Sequence, residues 1–302
     1  MALRFSIITP TFNRRDMLVE ALGSVERQDW PEIEHIVVDG GSTDGTLELV
    51  TSRPELRLIG GPDEGIYDAL NKGIAAATGD VVCFLNSDDA FEPGALKAAA
   101  EGFIEEPACE SVCGAARLVA GDETIEVYDR DEDKRLISAR TALLGPAIIN
   151  ARFFRKAALD RIGLFSLTYR ISADRDFLMR AVTLGLRTKA IAPLVYTYRR
   201  HHGSLSFSGD AAQRPAIWQE LLTIARTWSE AEAAEPSDRR IARALEGRCL
   251  GRLVQQDLAG GRPQDAWRLM LSGRGLPRNL TALASGALDA AVARIAVRTP
   301  LR

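Results

Sequence analysis

Short apolar runs alternate with amphipathic stretches along the first part of the chain, and each run closes on a polar, turn-forming cluster. Arg4–Thr9 has the length and composition of a strand, and Pro10-Thr11-Phe12-Asn13 ends it ahead of helical periodicity from about Arg15 to Gln28. Ile33–Val38 repeats the pattern, closing on Asp39-Gly40-Gly41-Ser42-Thr43-Asp44-Gly45 before a helix from about Thr46 to Ser52. Leu56–Ile59 leads through Gly60–Gly65 to a helix over Ile66–Ala77, and Thr78-Gly79-Asp80 returns the chain to a fourth run, Val81–Leu85. That run ends in Asn86-Ser87-Asp88-Asp89. Strands without polar alternation are buried on both faces, and strand–helix alternation at this pace predicts an α/β fold with a mainly parallel sheet covered by helices.

In such sheets ligands bind beyond the carboxyl ends of the strands. Thr9-Pro10-Thr11, Asp39–Asp44 and Asn86–Asp89 all lie at those ends, so three polar clusters are expected to share one cleft. Each has a plainer explanation: Asp-Gly and Ser-Thr-Asp stretches make ordinary turns, and Asp88 can cap a helix starting near Pro93-Gly94-Ala95. That explanation leaves their common phase relative to the strands unaccounted for. Two adjacent carboxylates suit a hard divalent cation, Mg²⁺ or Mn²⁺, held together with substrate phosphates. Asp39 suits hydrogen bonds from a base or a ribose, and the loop after it has neither the Gly-x-Gly-x-x-Gly nor the Walker spacing.

Beyond Glu92 the pattern is less regular. Ser111–Val119 reads as a strand, Gly121–Thr124 as a hairpin turn into Ile125–Tyr128, Asp129–Arg135 as a solvated loop, and Phe153–Ile162 as a helix. A further helix opens around Ile171–Arg180 with Asp174 and Asp176 two positions apart, about 200° around the helix, so only one of them faces the cleft.

At 302 residues and 46% apolar the chain can bury one large core or two smaller ones, and the reading divides it into residues 1–210 and a helical region, 211–302. Four cysteines without metal-ligand spacing, and an N-terminus lacking the apolar core of a signal peptide, point to a reduced, cytoplasmic protein. The net charge of −3 hides an asymmetry: residues 211–302 carry 14 Arg, no Lys and 9 Asp or Glu, leaving about −8 on the first 210. An acidic α/β region is a poor nucleic-acid binder. In the second region Ile217–Glu232, Asp238–Leu258 and Pro263–Leu271 read as helices, with Pro236 and Gly260-Gly261 as breaks. Apolar residues recur at helical spacing over Leu280–Ile295, fitting self-packing, a homodimer contact or peripheral contact with an inner-membrane surface, and Asp289 and Arg294 interrupt it as a span.

Several of these stretches together resemble the family 2 glycosyltransferases, inverting enzymes of GT-A fold that use nucleotide-diphosphate sugars. The likeness runs from Phe5 to about Ser206: Ser6–Asn13 is similar to the opening strand, Val37–Gly45 to the nucleoside loop, Glu64–Gly73 to the segment before the metal strand, and Phe84–Asp89 to the Asp-x-Asp-type metal motif. The resemblance implies a donor site drawn from Thr9, Pro10, Thr11, Asn13, Asp39, Ser42, Asp44, Asp68, Asn71, Lys72, Asn86, Ser87, Asp88 and Arg199. It makes Asp174 the general base, although Ala173 stands where many members have glutamate. Asp89 is expected to contact the metal directly, with Asp88 on sugar or water. Tyr196–Ser206 is similar to the Tyr-Arg-x-His-x-Gly-Ser-x-Ser stretch, so His201 or His202 approaches metal or diphosphate, with Arg199 or Arg200 adding charge at the leaving group. Gly145–Asn150 resembles the acceptor side, with Ala147 and Ile148 where His or Gln is frequent. The implied partners are a UDP-, GDP- or dTDP-sugar and a saccharide or lipid-linked acceptor. Two alternatives remain: a catalytically silent nucleotide-sugar-binding scaffold, against which Asp88, Asp89 and Asp174 speak, and a sugar nucleotidyltransferase, which needs a Gly-rich basic loop where Pro10-Thr11-Phe12-Asn13 stands.

Overall fold

The computed structural model describes residues 2–128, 136–201 and 214–272. It separates into two compact units, residues 1–208 and 209–302. The stretches Asp129–Arg135, His202–Ser206 and Leu280–Ile295 singled out above lie outside the described residues.

The first unit begins with the repeated strand–helix pattern: β1 (Phe5–Thr11), α1 (Arg15–Glu26), β2 (Ile33–Asp39), α2 (Thr46–Thr51), β3 (Leu56–Gly60), α3 (Ile66–Ala76) and β4 (Val81–Phe84). β3, β2, β1 and β4 lie side by side in parallel, with Thr11 opposite Asp39 and Ile8 opposite Phe84. Their shared direction puts the polar clusters at one sheet edge, as the alternation predicts. β1 is buried along its whole length because helices cover both sides. Ile7 and Cys83 face the cluster built with Leu18 and Leu22 of α1, while Gly73 of α3 packs directly on Ile8.

The rest of the sheet is mixed. β5 (Ala90–Phe91), α4 (Ala95–Glu105), β6 (Ser111–Ala120), β7 (Glu123–Val127), α5 (Ala139–Leu143), β8 (Arg152–Arg155), α6 (Lys156–Ile162), α7 (Ala173–Thr183) and β9 (Thr188–Arg199) complete the unit. The strand order is β3-β2-β1-β4-β8-β6-β9-β5, with β7 hairpinned onto β6. β8 corrects the expected helix over Phe153–Ile162, which starts only at Lys156. β8 runs antiparallel between β4 and β6, and its aromatics alternate: Phe153 meets Phe5 and Phe91, whereas Phe154 meets Phe84 and Phe177 on the other face. Filling both faces with aromatic rings outweighs local helical periodicity.

The second unit is helical, with α8 (Arg214–Glu230), α9 (Pro236–Ala259) and α10 (Pro263–Ser272). Pro236 opens α9 at its first turn, where a missing N–H costs nothing. No helix among the described residues is long and apolar enough to cross a membrane.

Candidate active site

The ends of β1 and β2 come first. Thr9, expected above at the donor site, is fully buried, and its hydroxyl lies 2.9 Å from His35 Nε2 in the sheet interior. His35 is kept neutral there, its pKa pushed down to about 3 by burial and by the Arg53 charge. Pro10 is buried beside it. Thr11 and Asp39, paired across the strands, differ from Thr9 in one respect. Asp39 Oδ2 accepts hydrogen bonds from the Gly41 and Ser42 amides at 2.9 Å each, while Asp39 Oδ1 and Thr11 Oγ1 are buried without a hydrogen-bond partner.

The loops around this pair are tied together by the other predicted residues. Asn13, in the left-handed region at φ 51°, donates its amide to Ser42 Oγ at 2.8 Å and accepts from the Thr43 amide at 2.8 Å. Asp44 accepts from the hydroxyl and amide of Thr46 and from the Arg15 amide. The Thr46 hydroxyl, more than any other contact, holds this exposed carboxylate below its usual range. Asp44 therefore fastens the starts of α1 and α2.

At the end of β4 the two adjacent carboxylates separate. Asp89 is buried, and its oxygens accept from Tyr196 Oη at 2.8 Å, Asn86 Nδ2 at 3.1 Å and the Arg199 amide at 2.8 Å. Burial, and next the charge of Asp88, push its pKa up to about 7 against those donors. Asp88 lies at the rim: its Oδ2 is 2.8 Å from His201 Nε2 and 3.3 Å from Arg14 Nη1, and Arg14 Nη1 is 3.2 Å from the same imidazole nitrogen. Asp89 thus has both oxygens bonded to protein donors, whereas Asp88 lies at the rim with a histidine beside it. Asp88 does not cap the following helix, whose N-cap is Gly94 with no side-chain bond. Ser87, just before the two carboxylates, is buried.

α3 and α7 supply the other wall. Asn71 locks onto the backbone of Phe165, donating to its carbonyl at 2.9 Å and accepting from its amide at 2.8 Å. Asp68 and Lys72 form an ion pair at 2.9 Å, and they fasten the Gly60–Gly65 loop through the Glu64 amide and the Pro62 carbonyl. Asp174, half-buried in the first turn of α7, accepts from the Arg175 amide at 2.9 Å. Burial raises its pKa. Asp176 turns away into an ion pair with Arg180 at 3.1 Å.

A cavity of about 680 Å³ adjoins Asp88 and His201, with Arg117, Arg199, Arg200 and Glu20 also in its wall. Arg199 pairs with Glu20 on α1. Three residues that sequence reasoning missed hold the site together: Arg14 on Asp88, Tyr196 on Asp89 and Tyr67 against Asp174. Tyr67 and Tyr196 sit inside the motifs quoted above and Arg14 beside one, which is the only local signal they give.

The model of the family described as glycosyl transferase family 2 matches residues 6–173, a span holding the ends of β1, β2 and β4. The chain belongs to glycosyl transferase family 2. A PGL/p-HBAD biosynthesis glycosyltransferase of Mycobacterium bovis is 34% identical over 213 residues, 66% of this chain and 78% of the relative. An uncharacterized glycosyltransferase of Mycobacterium tuberculosis is 34% identical over 182 residues, 58% of this chain and 68% of the relative. Among solved structures, S. aureus TarS in complex with UDP-GlcNAc superposes with a TM-score of 0.65 at 23% identity, covering 84% of this chain and 81% of that one. Mannosyltransferase PcManGT from Pyrobaculum calidifontis, in complex with GDP-Man and Mn²⁺, gives 0.61 at 23% identity, covering 96% and 81%. The fold of this glycosyltransferase is therefore GT-A, as the motifs imply.

Proposed function

We propose that the protein transfers a sugar from a UDP-, GDP- or dTDP-linked donor to a hydroxyl of a saccharide or lipid-linked acceptor, with inversion at the anomeric carbon. The observation that carries this reading is the pair of partnerless buried oxygens, Thr11 Oγ1 and Asp39 Oδ1, at the paired ends of β1 and β2. An unsatisfied buried polar group costs roughly 1–3 kcal/mol, which the N–H or hydroxyl donors of a nucleoside offset on binding. Asp174 takes the proton from the acceptor hydroxyl as that oxygen attacks the anomeric carbon and the bond to the diphosphate oxygen breaks. A carboxyl whose pKa is raised by burial is a better base near neutrality than an ordinary one. A single displacement of this kind inverts the configuration.

Asp88 and His201 are the residues suited to hold Mg²⁺ or Mn²⁺. No group of three or more His, Cys, Asp or Glu suited to a metal occurs among the described residues, so the chain offers a pair and leaves the other positions to phosphate oxygens. When bound, such an ion supplies positive charge to the departing diphosphate. Arg199 and Arg200, in the wall of the same cavity, add to that charge. The nucleotide-sugars in the two structural neighbours, and the Mn²⁺ in one, support this reading.

The test is release of nucleoside diphosphate from a panel of UDP-, GDP- and dTDP-sugars with Mn²⁺. Turnover of at least one donor, lost in excess chelator, is expected. Nucleotide-sugar binding without release from any donor overturns transfer in favour of a silent scaffold, and full activity in chelator overturns the metal assignment.

A further inference from the structure

α3 does more than cover the sheet. Tyr67 and Asn71, four residues apart on one face, both grip the segment that leads into α7. Asn71 clamps the Phe165 backbone from both sides, and the Tyr67 ring packs on the Phe165 ring with centroids 5.3 Å apart. Phe165 in turn stacks on Phe177 of α7 at 4.5 Å, so the ring column runs from α3 through the loop into the helix that carries Asp174. At the near end of this column the Tyr67 hydroxyl stands 2.9 Å from the Ile171 carbonyl and 3.4 Å from Asp174 Oδ1.

A phenol has one proton, and here it has two acceptors. With Asp174 protonated, the hydroxyl serves Ile171. With Asp174 ionised, a small rotation turns the same proton to the carboxylate. We propose that Tyr67 is the positioning residue of the reaction, fixing the direction of the Asp174 carboxylate and supplying a donor to its ionised form. This rests on the reading of Asp174 as the base. Among the described residues, the other ionisable groups near Asp174 are Arg175 on its own helix, whose guanidinium is held by the Ala142 and Gly145 carbonyls, and Tyr198 of β9. Neither places a hydroxyl on the carboxylate as Tyr67 does.

Tyr67→Phe removes the hydroxyl and keeps the ring on Phe165. With whichever donor the panel identifies, kcat on the acidic side of the pH profile is expected to fall roughly two- to tenfold, the kinetic equivalent of one net hydrogen bond. The acid limb moves to higher pH, and donor KM stays the same. 3-Fluorotyrosine placed at position 67, a stronger donor of the same shape, moves the limb to lower pH and covers the case in which the phenylalanine variant folds poorly. A donor-independent readout is the titration of the Asp174 carboxyl carbon by NMR, whose midpoint rises in Tyr67→Phe. Profiles and titrations that superimpose on the wild type overturn the proposal. Asp174→Asn separates this from the underlying reading: if that variant turns over normally, the base assignment has failed, whereas an inactive Asp174→Asn beside an unshifted Tyr67→Phe refutes only the role of Tyr67.

Discussion

Gly73 is the point at which α3 rests on β1, and replacing it by alanine tests whether the seating of that helix matters. An added Cβ would stand 2.2 Å from Ile8 Cγ2, 3.1 Å from Cγ1 and 3.2 Å from Cβ, where ordinary contact begins at 3.4 Å. Ile8 is fully buried and β-branched, with little rotamer freedom to yield, so relief requires α3 to lift. Overpacking of this kind costs about 1–3 kcal/mol. Against it stands a gain of up to ~1 kcal/mol from replacing a mid-helix glycine, which is too small to reverse the sign. The 2.2 Å approach puts the cost in the upper part of that range, so a net loss of about 1–2 kcal/mol remains, and at about 2–4 °C per kcal/mol for a domain of this size Tm should fall by roughly 2–8 °C. Activity should fall as well, because Tyr67 and Asn71 travel with the helix. Thermal denaturation of Gly73→Ala, Ile8→Ala and the double variant supplies the check. Ile8→Ala alone leaves a cavity and costs about 2–5 kcal/mol, but with Gly73→Ala the methyl enters that space, so the double variant should be more stable than the sum of the two. An unchanged Tm for Gly73→Ala, or strict additivity, refutes the close approach.

Asp174→Asn should lower kcat by about 10²–10⁴-fold and yet raise Tm at neutral pH. Burial raises the folded-state pKa of Asp174, so the stability it contributes is complete below its unfolded pKa and is lost as pH rises through the folded one. The Tm advantage of the asparagine variant should therefore vanish on acidification, and an advantage that persists at low pH contradicts this origin. In Mn²⁺ titrations followed by water proton relaxation, Asp88→Ala and His201→Ala should weaken binding more than Asp89→Ala, and the opposite order reinstates Asp89 as the direct ligand. Thr11→Val removes an orphaned hydroxyl, so it should raise the Tm of the nucleotide-free protein while raising donor KM; Thr9→Val, which deprives buried His35 of its partner, should lower Tm and leave KM alone. Identical responses at the two threonines would remove the distinction.

The strands and helices up to Asp89 are legible because each signal is local: an unbroken apolar run, then Gly, Pro, Asn or Asp where the chain turns. The same uniformity hides detail. A strand buried on both faces carries no alternation, so nothing in Ser6–Asn13 says that Thr9 faces His35 and Thr11 has no partner. β8 escapes a local reading because Phe153 and Phe154 find their ring partners on β1, β4, β5 and α7, distant in sequence. The two carboxylates after β4 are chemically identical as text. What separates them is Tyr196 and the Arg199 amide, 107 and 110 residues downstream, which arrive only when β9 pairs beside β6.

One physical distinction sorts the predicted residues. Thr9, Asp44, Asn71 and Asp89 have their hydrogen-bonding atoms occupied by protein partners, and they hold strands, loops and helices in place. Thr11 and Asp39 keep a buried oxygen with no partner, while Asp88 stands at a cavity rim beside His201. Folding alone favours satisfying such groups, since each unsatisfied one costs stability. Under the proposed function, the nucleotide-sugar completes the two left open at the paired ends of β1 and β2. The frame residues cannot be relaxed without disturbing this arrangement: Thr9 holds His35 in the sheet, Asn71 seats the loop before Asp174, Asp44 the helix starts flanking Asp39, and Asp89 the strand end that sets Asp88 against His201.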